Sequence, residues 1–177
     1  MGGMGGGNPF GQAPQPAAPP TEYSLEITLE EAVKGGTRLI QIDDRRVEVK
    51  IPAGIKEGQR IRMAGGGGLD ADIYLRIKFA SHPMFERSGE NLEVEVDVPL
   101  STPVLGGEVA VPTLDGHVDM KIPAGTPTGR LFRLRGHGLS RGGDARGDLL
   151  VALSVLLPEK LGPEEQELFE KLKKLGL

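Results

Sequence analysis

Beyond residue 20 the apolar residues fall on alternate positions. Tyr23, Leu25, Ile27 and Leu29 are apolar, with Ser24, Glu26 and Thr28 polar between them. A period of two predicts a strand with one buried face. Thr28-Leu29-Glu30-Glu31 has the form of a capping box, which predicts one helical turn running to Lys34. Gly35-Gly36 ends it. Strands are predicted over residues 38–42 and 47–51, joined by an Asp43-Asp44 turn. Pro52-Ala53-Gly54 breaks the run. Further strands are predicted over residues 59–63 and 72–79, on either side of the loop Gly65-Gly66-Gly67-Gly68.

The chain then repeats itself at a shift of 71 residues. Leu25, Ile27 and Leu29 fall on Val96, Val98 and Leu100, and Gly35-Gly36 falls on Gly106-Gly107. Asp44 and Val47 fall on Asp115 and Val118. Lys50-Ile51-Pro52-Ala53-Gly54 falls on Lys121-Ile122-Pro123-Ala124-Gly125. Gly58, Arg62 and Gly65 fall on Gly129, Arg133 and Gly136. After an insertion of five residues, Asp72-Ile73-Tyr74-Leu75 falls on Asp148-Leu149-Leu150-Val151. Chance matches would not keep one register for so long, so the pattern marks a duplication. Two similar units are expected, over residues 21–91 and 92–160. Turn signals at short intervals make each a small sandwich of short strands, and the repeated Ile-Pro-Ala-Gly reads as a structural turn.

The C-terminal segment, residues 161–177, changes period. Pro163 marks a helix start and Gly176 its end. Glu164, Glu165 and Glu167 lie early and Lys171, Lys173 and Lys174 late, the order that suits the helix dipole. Leu168, Phe169, Leu172 and Leu175 form one apolar stripe. The fold class is therefore mainly β: two tandem sandwich domains followed by a helix.

Composition narrows the chemistry. Net charge is −4, against a dedicated nucleic-acid binder, which needs a strong basic field. Arg130, Arg133, Arg135, His137, Arg141 and Arg146 nevertheless gather around Phe132. That stretch keeps DNA binding as the alternative function, set against the ordinary reading of a solvated face. There is no cysteine, so disulfides, cysteine–zinc sites and a cysteine nucleophile are excluded. No secretory signal is visible at the N-terminus, and the longest apolar run, residues 149–157, is too short to span a bilayer. A cytoplasmic protein with no membrane contact is expected. Residues 1–20 hold six Gly, five Pro and no charge. They are predicted to be a disordered linker, and the chain reads as a fragment cut within it. The glycine loop is followed by no Gly-Lys-Ser/Thr and no helix, so it predicts no phosphate cradle. His82, His117 and His137 lack metal-ligand spacing, and no Ser/His/Asp grouping is defensible. No catalytic residue, metal or cofactor is expected, and the chain reads as a binding module.

The residues resemble the C-terminal region of DnaJ-type co-chaperones over positions 21–177. Three segments carry the resemblance. His82-Pro83-Met84-Phe85-Glu86-Arg87-Ser88-Gly89-Glu90-Asn91-Leu92 looks like the family's join between two β-domains. Residues 47–58, with the Ile-Pro-Ala-Gly turn, look like the middle of the first domain. Gly136-His137-Gly138 and Gly147-Asp148-Leu149-Leu150-Val151 look like the loop and strand of the second. The family's J-domain carries a His-Pro-Asp triplet that stimulates a DnaK ATPase. Here His82-Pro83 is followed by Met84, so that domain is expected to be missing from this chain. With no cysteine, the chain resembles the zinc-free subtype.

The resemblance implies unfolded polypeptide and a DnaK-type chaperone as partners, and a homodimer. It implies a client groove formed by Tyr23 and Leu25 of one strand and Arg38, Ile40 and Ile42 of the next. The other reading of these positions is plain core. Leu39, apolar on the face opposite Ile40 and Ile42, favours a strand with two apolar surroundings. Arg38 is expected either to attract acidic segments, including a DnaK tail, or to be a solvated charge. The stripe Leu168, Phe169, Leu172 and Leu175 is expected to pair with the same segment of a second copy. Its alternative is packing on its own second domain.

Overall fold

The computed structural model describes residues 21–42, 44–63 and 72–176. The expectations for the linker, for Asp43 and for the four-glycine loop lie outside the described residues.

The first unit comprises β1 (Thr21–Ile27), α1 (Leu29–Lys34), β2 (Gly36–Ile42), β3 (Arg45–Ile51), β4 (Arg60–Met63) and β5 (Ile73–Phe79). The capping box forms as the sequence predicts. Thr28 Oγ1 accepts from the Glu31 amide at 3.3 Å, and the Thr28 amide donates to Glu31 Oε2 at 2.9 Å. Leu29 and Ala32 are the buried positions of α1. Asp44 takes a left-handed φ of 64° in the β2–β3 turn, a conformation that aspartate tolerates better than most residues. The strands form two sheets, ordered β1-β5-β4 and β2-β3. Their inner faces meet in a core that includes Ile27, Val49, Ile51, Leu75 and Ile77, the sheet-on-sheet packing of a sandwich.

The second unit repeats this plan with β7 (Asn91–Pro99), α2 (Ser101–Leu105), β8 (Gly107–Thr113), β9 (Gly116–Ile122), β10 (Leu131–Leu134) and β13 (Leu149–Leu156). The duplication is preserved pair by pair. Tyr23 lies opposite Leu75, and Ile61 opposite Leu75; their repeats pair as Val94 with Val151 and Phe132 with Val151. A short hairpin, β11 (Ser140–Gly142) and β12 (Ala145–Arg146), precedes β13.

The repeated Ile-Pro-Ala-Gly is a turn that holds each short helix. The Gly54 amide donates to the Ala32 carbonyl at 2.8 Å, and Gly125 to Val104 at 3.1 Å. Each turn also lies against the glycine that ends the helix. A Cβ on Gly35 would come within 2.6 Å of the Ala53 amide nitrogen, and one on Gly106 within 3.0 Å of that of Ala124. Both glycines have positive φ, so close approach and backbone conformation together require glycine.

The units differ at one sheet edge. β6 (Phe85–Ser88) runs antiparallel along β7 and extends the second sheet to β10-β13-β7-β6. The repeat begins at residue 92, yet β6 lies before it and joins the second sheet. The units are also tied together. Leu29 and Val33 of α1 pack into the second core. Lys56 Nζ donates to the Arg141 carbonyl at 2.7 Å. His82 Nδ1 accepts from the Met84 and Phe85 amides at 3.1 and 3.2 Å. Those two donors assign the ring proton to Nε2, which lies 3.0 Å from Glu30 Oε1. The single turn of α1 is thereby fastened to the start of β6.

The last element, α3 (Pro163–Lys174), begins at Pro163 and carries a Glu167–Lys171 ion pair, one turn apart, at 2.7 Å.

Candidate functional site

The two sheets of the first unit are linked across one strand edge by Arg38. Among the described residues, β1 ends the sheet β1-β5-β4, and β2 is one of two strands in its sheet. Alternation along β1 decides where its backbone groups point. The Ile27 carbonyl accepts from Ala80 on the β5 side, so Glu22, Ser24 and Glu26 present their N–H and C=O groups to the other edge. Arg38 of β2 reaches that edge: its Nη1 donates to the Glu26 carbonyl at 2.6 Å. The same nitrogen is 3.4 Å from Glu31 Oε2. Arg38 thus links β2 to the edge of β1, while its guanidinium stays partly exposed to water.

The five residues expected in a groove divide into three kinds. Leu25 and Ile42 are buried members of the first core. Tyr23 and Ile40 are partly buried and pack against that core from its rim. Arg38 is the bridge. Leu39 lies on the opposite face and is 70 % exposed, so the strand does have apolar side chains on both faces, one of them in water. Its cross-strand neighbour there is Glu48, and no second apolar surrounding covers it among the described residues. The groove reading therefore rests on Tyr23, Ile40 and Arg38, since Leu25 and Ile42 are buried in the core. The Glu26 carbonyl and Glu31, which hold Arg38, escape a reading of the sequence because one is main chain and the other a helix cap.

A second apolar surface lies at the far end of the chain. α3 has no buried residue. Leu168, Phe169, Leu172 and Leu175 face Leu100, Val104 and Leu105, in and beside α2, across an open hollow of about 540 Å³. Phe169, the least exposed of the stripe, is still 38 % exposed. The stripe is turned toward its own second unit without being packed into it. An adjoining hollow of about 440 Å³ continues past Leu100 and Val104 to Leu153, Val155 and Leu157. The part of α2 in this surface could have been found from the repeat, which maps it onto α1.

The basic stretch does not form one free face. Arg146 donates to Asp115 Oδ2 at 2.6 Å and to the Gly138 carbonyl at 2.9 Å. Arg133 lies 3.6 Å from Asp148 Oδ2, Arg141 donates to Asn91 Oδ1 at 3.3 Å, and the Arg130 guanidinium stacks over Phe132. Among the described residues, no helix is long and apolar enough to cross a membrane.

The family model for the DnaJ C terminal domain matches residues 21–158. The chain belongs to the DnaJ C-terminal domain family. Relatives agree with this assignment. The chain is 39 % identical over 177 residues to a chaperone protein DnaJ of Deinococcus proteolyticus, covering 99 % of this chain and 55 % of that protein. It is 42 % identical over 151 residues to a chaperone protein DnaJ 2 of Thermus thermophilus, covering 84 % and 54 %. A chaperone protein DnaJ 2 of Synechocystis is 38 % identical over 160 residues, covering 90 % and 52 %. The chain thus spans about half the length of these relatives. The family match takes in both sandwich units of this DnaJ C-terminal domain and ends before α3.

Proposed function

We propose that this DnaJ C-terminal domain is the client-binding and dimerising part of a co-chaperone. It holds exposed apolar segments of non-native proteins and presents them to a DnaK-type chaperone, without chemistry of its own. One observation supports the reading: β1 has an edge with no partner strand among the described residues, and Tyr23 and Ile40 are half-buried against the first core. An extended client can pair its backbone with such an edge, and backbone pairing is blind to sequence. Tyr23, Leu25, Arg38, Ile40 and Ile42 form this client site within residues 21–91. The segment 92–160 is the second domain, and residues 161–177 join two copies through Leu168, Phe169, Leu172 and Leu175. Two grooves on one dimer then hold a client at two points, which raises avidity. A chain without cysteine suits the reducing cytoplasm in which such a partner works.

The experiment is a titration of the purified chain with an apolar peptide and with duplex DNA, each at two salt concentrations. Client binding is expected for the peptide and to change little with salt. DNA affinity that falls steeply with salt, with no peptide binding, would replace this reading with the nucleic-acid one. The engagement of Arg133, Arg141 and Arg146 with protein groups speaks against that outcome.

A further inference from the structure

The duplication gives the chain two homologous outer sheet faces, and they carry opposite charge. Each face consists of the residues that alternate with the buried ones along the strands. The cross-strand rows of the first are Arg60–Arg76–Ser24, Arg62–Tyr74–Glu22 and Lys78–Glu26. The corresponding rows of the second are Leu131–Ala152–Glu95, Arg133–Leu150–Glu93 and Ser154–Asp97. Three cations of the first face, Arg60, Arg76 and Lys78, have uncharged repeats, and Ser24 is repeated as Glu95. The first face thus sets four cations against two carboxylates, and the second sets one cation against three carboxylates. β6 adds a further carboxylate, Glu86, beside Glu93.

Each face also holds a like-charge pair directly opposed on two strands. Arg76 lies opposite Arg60 on the first face, and Glu93 lies opposite Glu86 on the second. Such pairs weaken a sheet. Arg60 has Glu22 at 3.4 Å. Arg76, Glu86, Glu93 and Glu95 have no ion-pair partner among the described residues. A surface of opposite charge laid on either face would offset the repulsion there, and each face supplies what the other lacks.

The second face is also hollowed. Beside the start of β6, Met84, Leu131 and Leu150 line an open space of about 500 Å³, and Glu86, Glu93 and Glu95 share its lining. Met84 and Leu131 are each more than half exposed. Apolar walls with carboxylates among them suit a side chain with an apolar stem and a cationic head. Arginine fits best, because its planar guanidinium meets a carboxylate through two hydrogen bonds. Arg76, exposed at the middle strand of the first face, is such a side chain.

We propose that the outer face of the first sheet in one copy docks on the outer face of the second sheet in another copy. Arg76 enters the hollow lined by Glu93 and Glu95. The two surfaces differ, so the contact is heterologous and extends from copy to copy unless a ring closes. It is separate from a two-fold contact through α3, which is apolar. One exposed ion pair contributes little. The docking therefore depends on several charges together with the hollow, and it is weak and steeply dependent on salt.

Sedimentation velocity of the full chain over a range of protein concentration reads the contact. At about 0.01 M salt, where the screening length is about 30 Å, the mean mass is expected to rise with concentration. At about 1 M salt, where that length is about 3 Å, the mass is expected to hold one lower value. Arg76→Glu and Glu95→Arg change exposed positions, and each is expected to bring the low-salt mass down to the high-salt value. Glu95→Arg moves the net charge of −4 toward zero, so a loss of association there does not come from overall repulsion. Combined in one chain, the two substitutions exchange the charges of the contact, and the rise with concentration is expected to return.

A parent mass that responds to neither salt nor concentration overturns the proposal. So do single variants that associate as the parent does, and a double variant that stays dissociated. Thermal unfolding checks the fold of each variant, and Arg60→Glu with Glu93→Arg takes the place of the first pair if either member of it unfolds. A peptide of alternating arginine and leucine supplies the remaining arm. If it binds the parent and not Glu95→Arg, while the parent shows no self-association, the acidic face serves a basic partner other than a second copy, and the proposal fails.

Discussion

Glu57, in the turn before β4, is ion-paired with Arg87 on β6, joining the first unit to the edge strand of the second. The same carboxylate accepts from the Phe79 amide at 3.4 Å. The Arg87 hydrogen bond is the largest influence on Glu57. With the Phe79 amide and the nearby cations it holds the carboxyl below its ordinary value near 4.5, against an opposing effect of burial. A carboxyl lowered in the folded state contributes stability above its unfolded pKa and loses it as pH falls through the folded value. Glu57→Gln is therefore expected to cost stability at pH 7 and to cost less near pH 3. Both partners are more than a third exposed, so the expected loss at pH 7 is that of an exposed pair, about 0.2–1 kcal/mol. Urea unfolding at the two pH values checks this. A deficit of equal size at both would show that Glu57 acts through packing and not through its charge.

The two helix-ending glycines give a graded test of how the repeat is built. An added Cβ at Gly35 meets the Ala53 nitrogen at 2.6 Å and the Ile51 carbonyl oxygen at 2.8 Å; at Gly106 the same contacts are 3.0 and 3.1 Å. All four are backbone atoms, which cannot swing aside. Gly35→Ala and Gly106→Ala are both expected to destabilise by more than the roughly 1 kcal/mol that alanine costs at an unhindered left-handed position. Gly35→Ala is expected to be the worse. Thermal unfolding of the two variants checks the order, and equal midpoints would mean that the Ile-Pro-Ala-Gly turn does not bear on the helix end as described.

Much of this fold could be read from the sequence, because duplication states each element twice. The capping box at Thr28, the Ile-Pro-Ala-Gly turns and the charge order of α3 are short-range signals with local causes, and each stands where it was expected. What stayed hidden depends on neighbours far along the chain. β6 is four residues long with one buried side chain, too short to show a period. Its role comes from β7, which it covers. α2 contains Pro103 and has no side-chain cap, so only the repeat points to it. A period of two also cannot separate core from rim: Leu25 and Ile42 have the same pattern as Tyr23 and Ile40 and are buried beneath them.

That difference predicts opposite behaviour for two neighbouring isoleucines. Ile40 is partly exposed at the rim, whereas Ile42 is 4 % exposed within the first core. Ile40→Ser is expected to weaken peptide binding several-fold with a modest loss of stability. Ile42→Ser is expected to cost about 2–5 kcal/mol, because it opens a cavity and buries a hydroxyl. Circular dichroism melts and peptide titrations of both variants check this. If Ile40→Ser unfolds the first unit as readily as Ile42→Ser, the rim residue is core and the client site loses its apolar contact.

The helix α3 invites a test in which folding and assembly separate cleanly. Its stripe faces α2 across an open apolar hollow, and none of its residues is buried. A substitution there removes no fully buried side chain from the single chain. Leu172→Glu, and deletion of residues 163–177, are therefore expected to leave the unfolding midpoint of the sandwich units within about 0.5 kcal/mol of the parent, as for other surface changes. In the same samples, light scattering should move from the mass of two chains to that of one. In the proposed two-fold arrangement each substitution enters the contact twice, which makes the expected effect strong. A mass that stays at two chains in both variants would take α3 out of the interface. A parent chain that is already monomeric would do the same, and would leave each client groove to act alone.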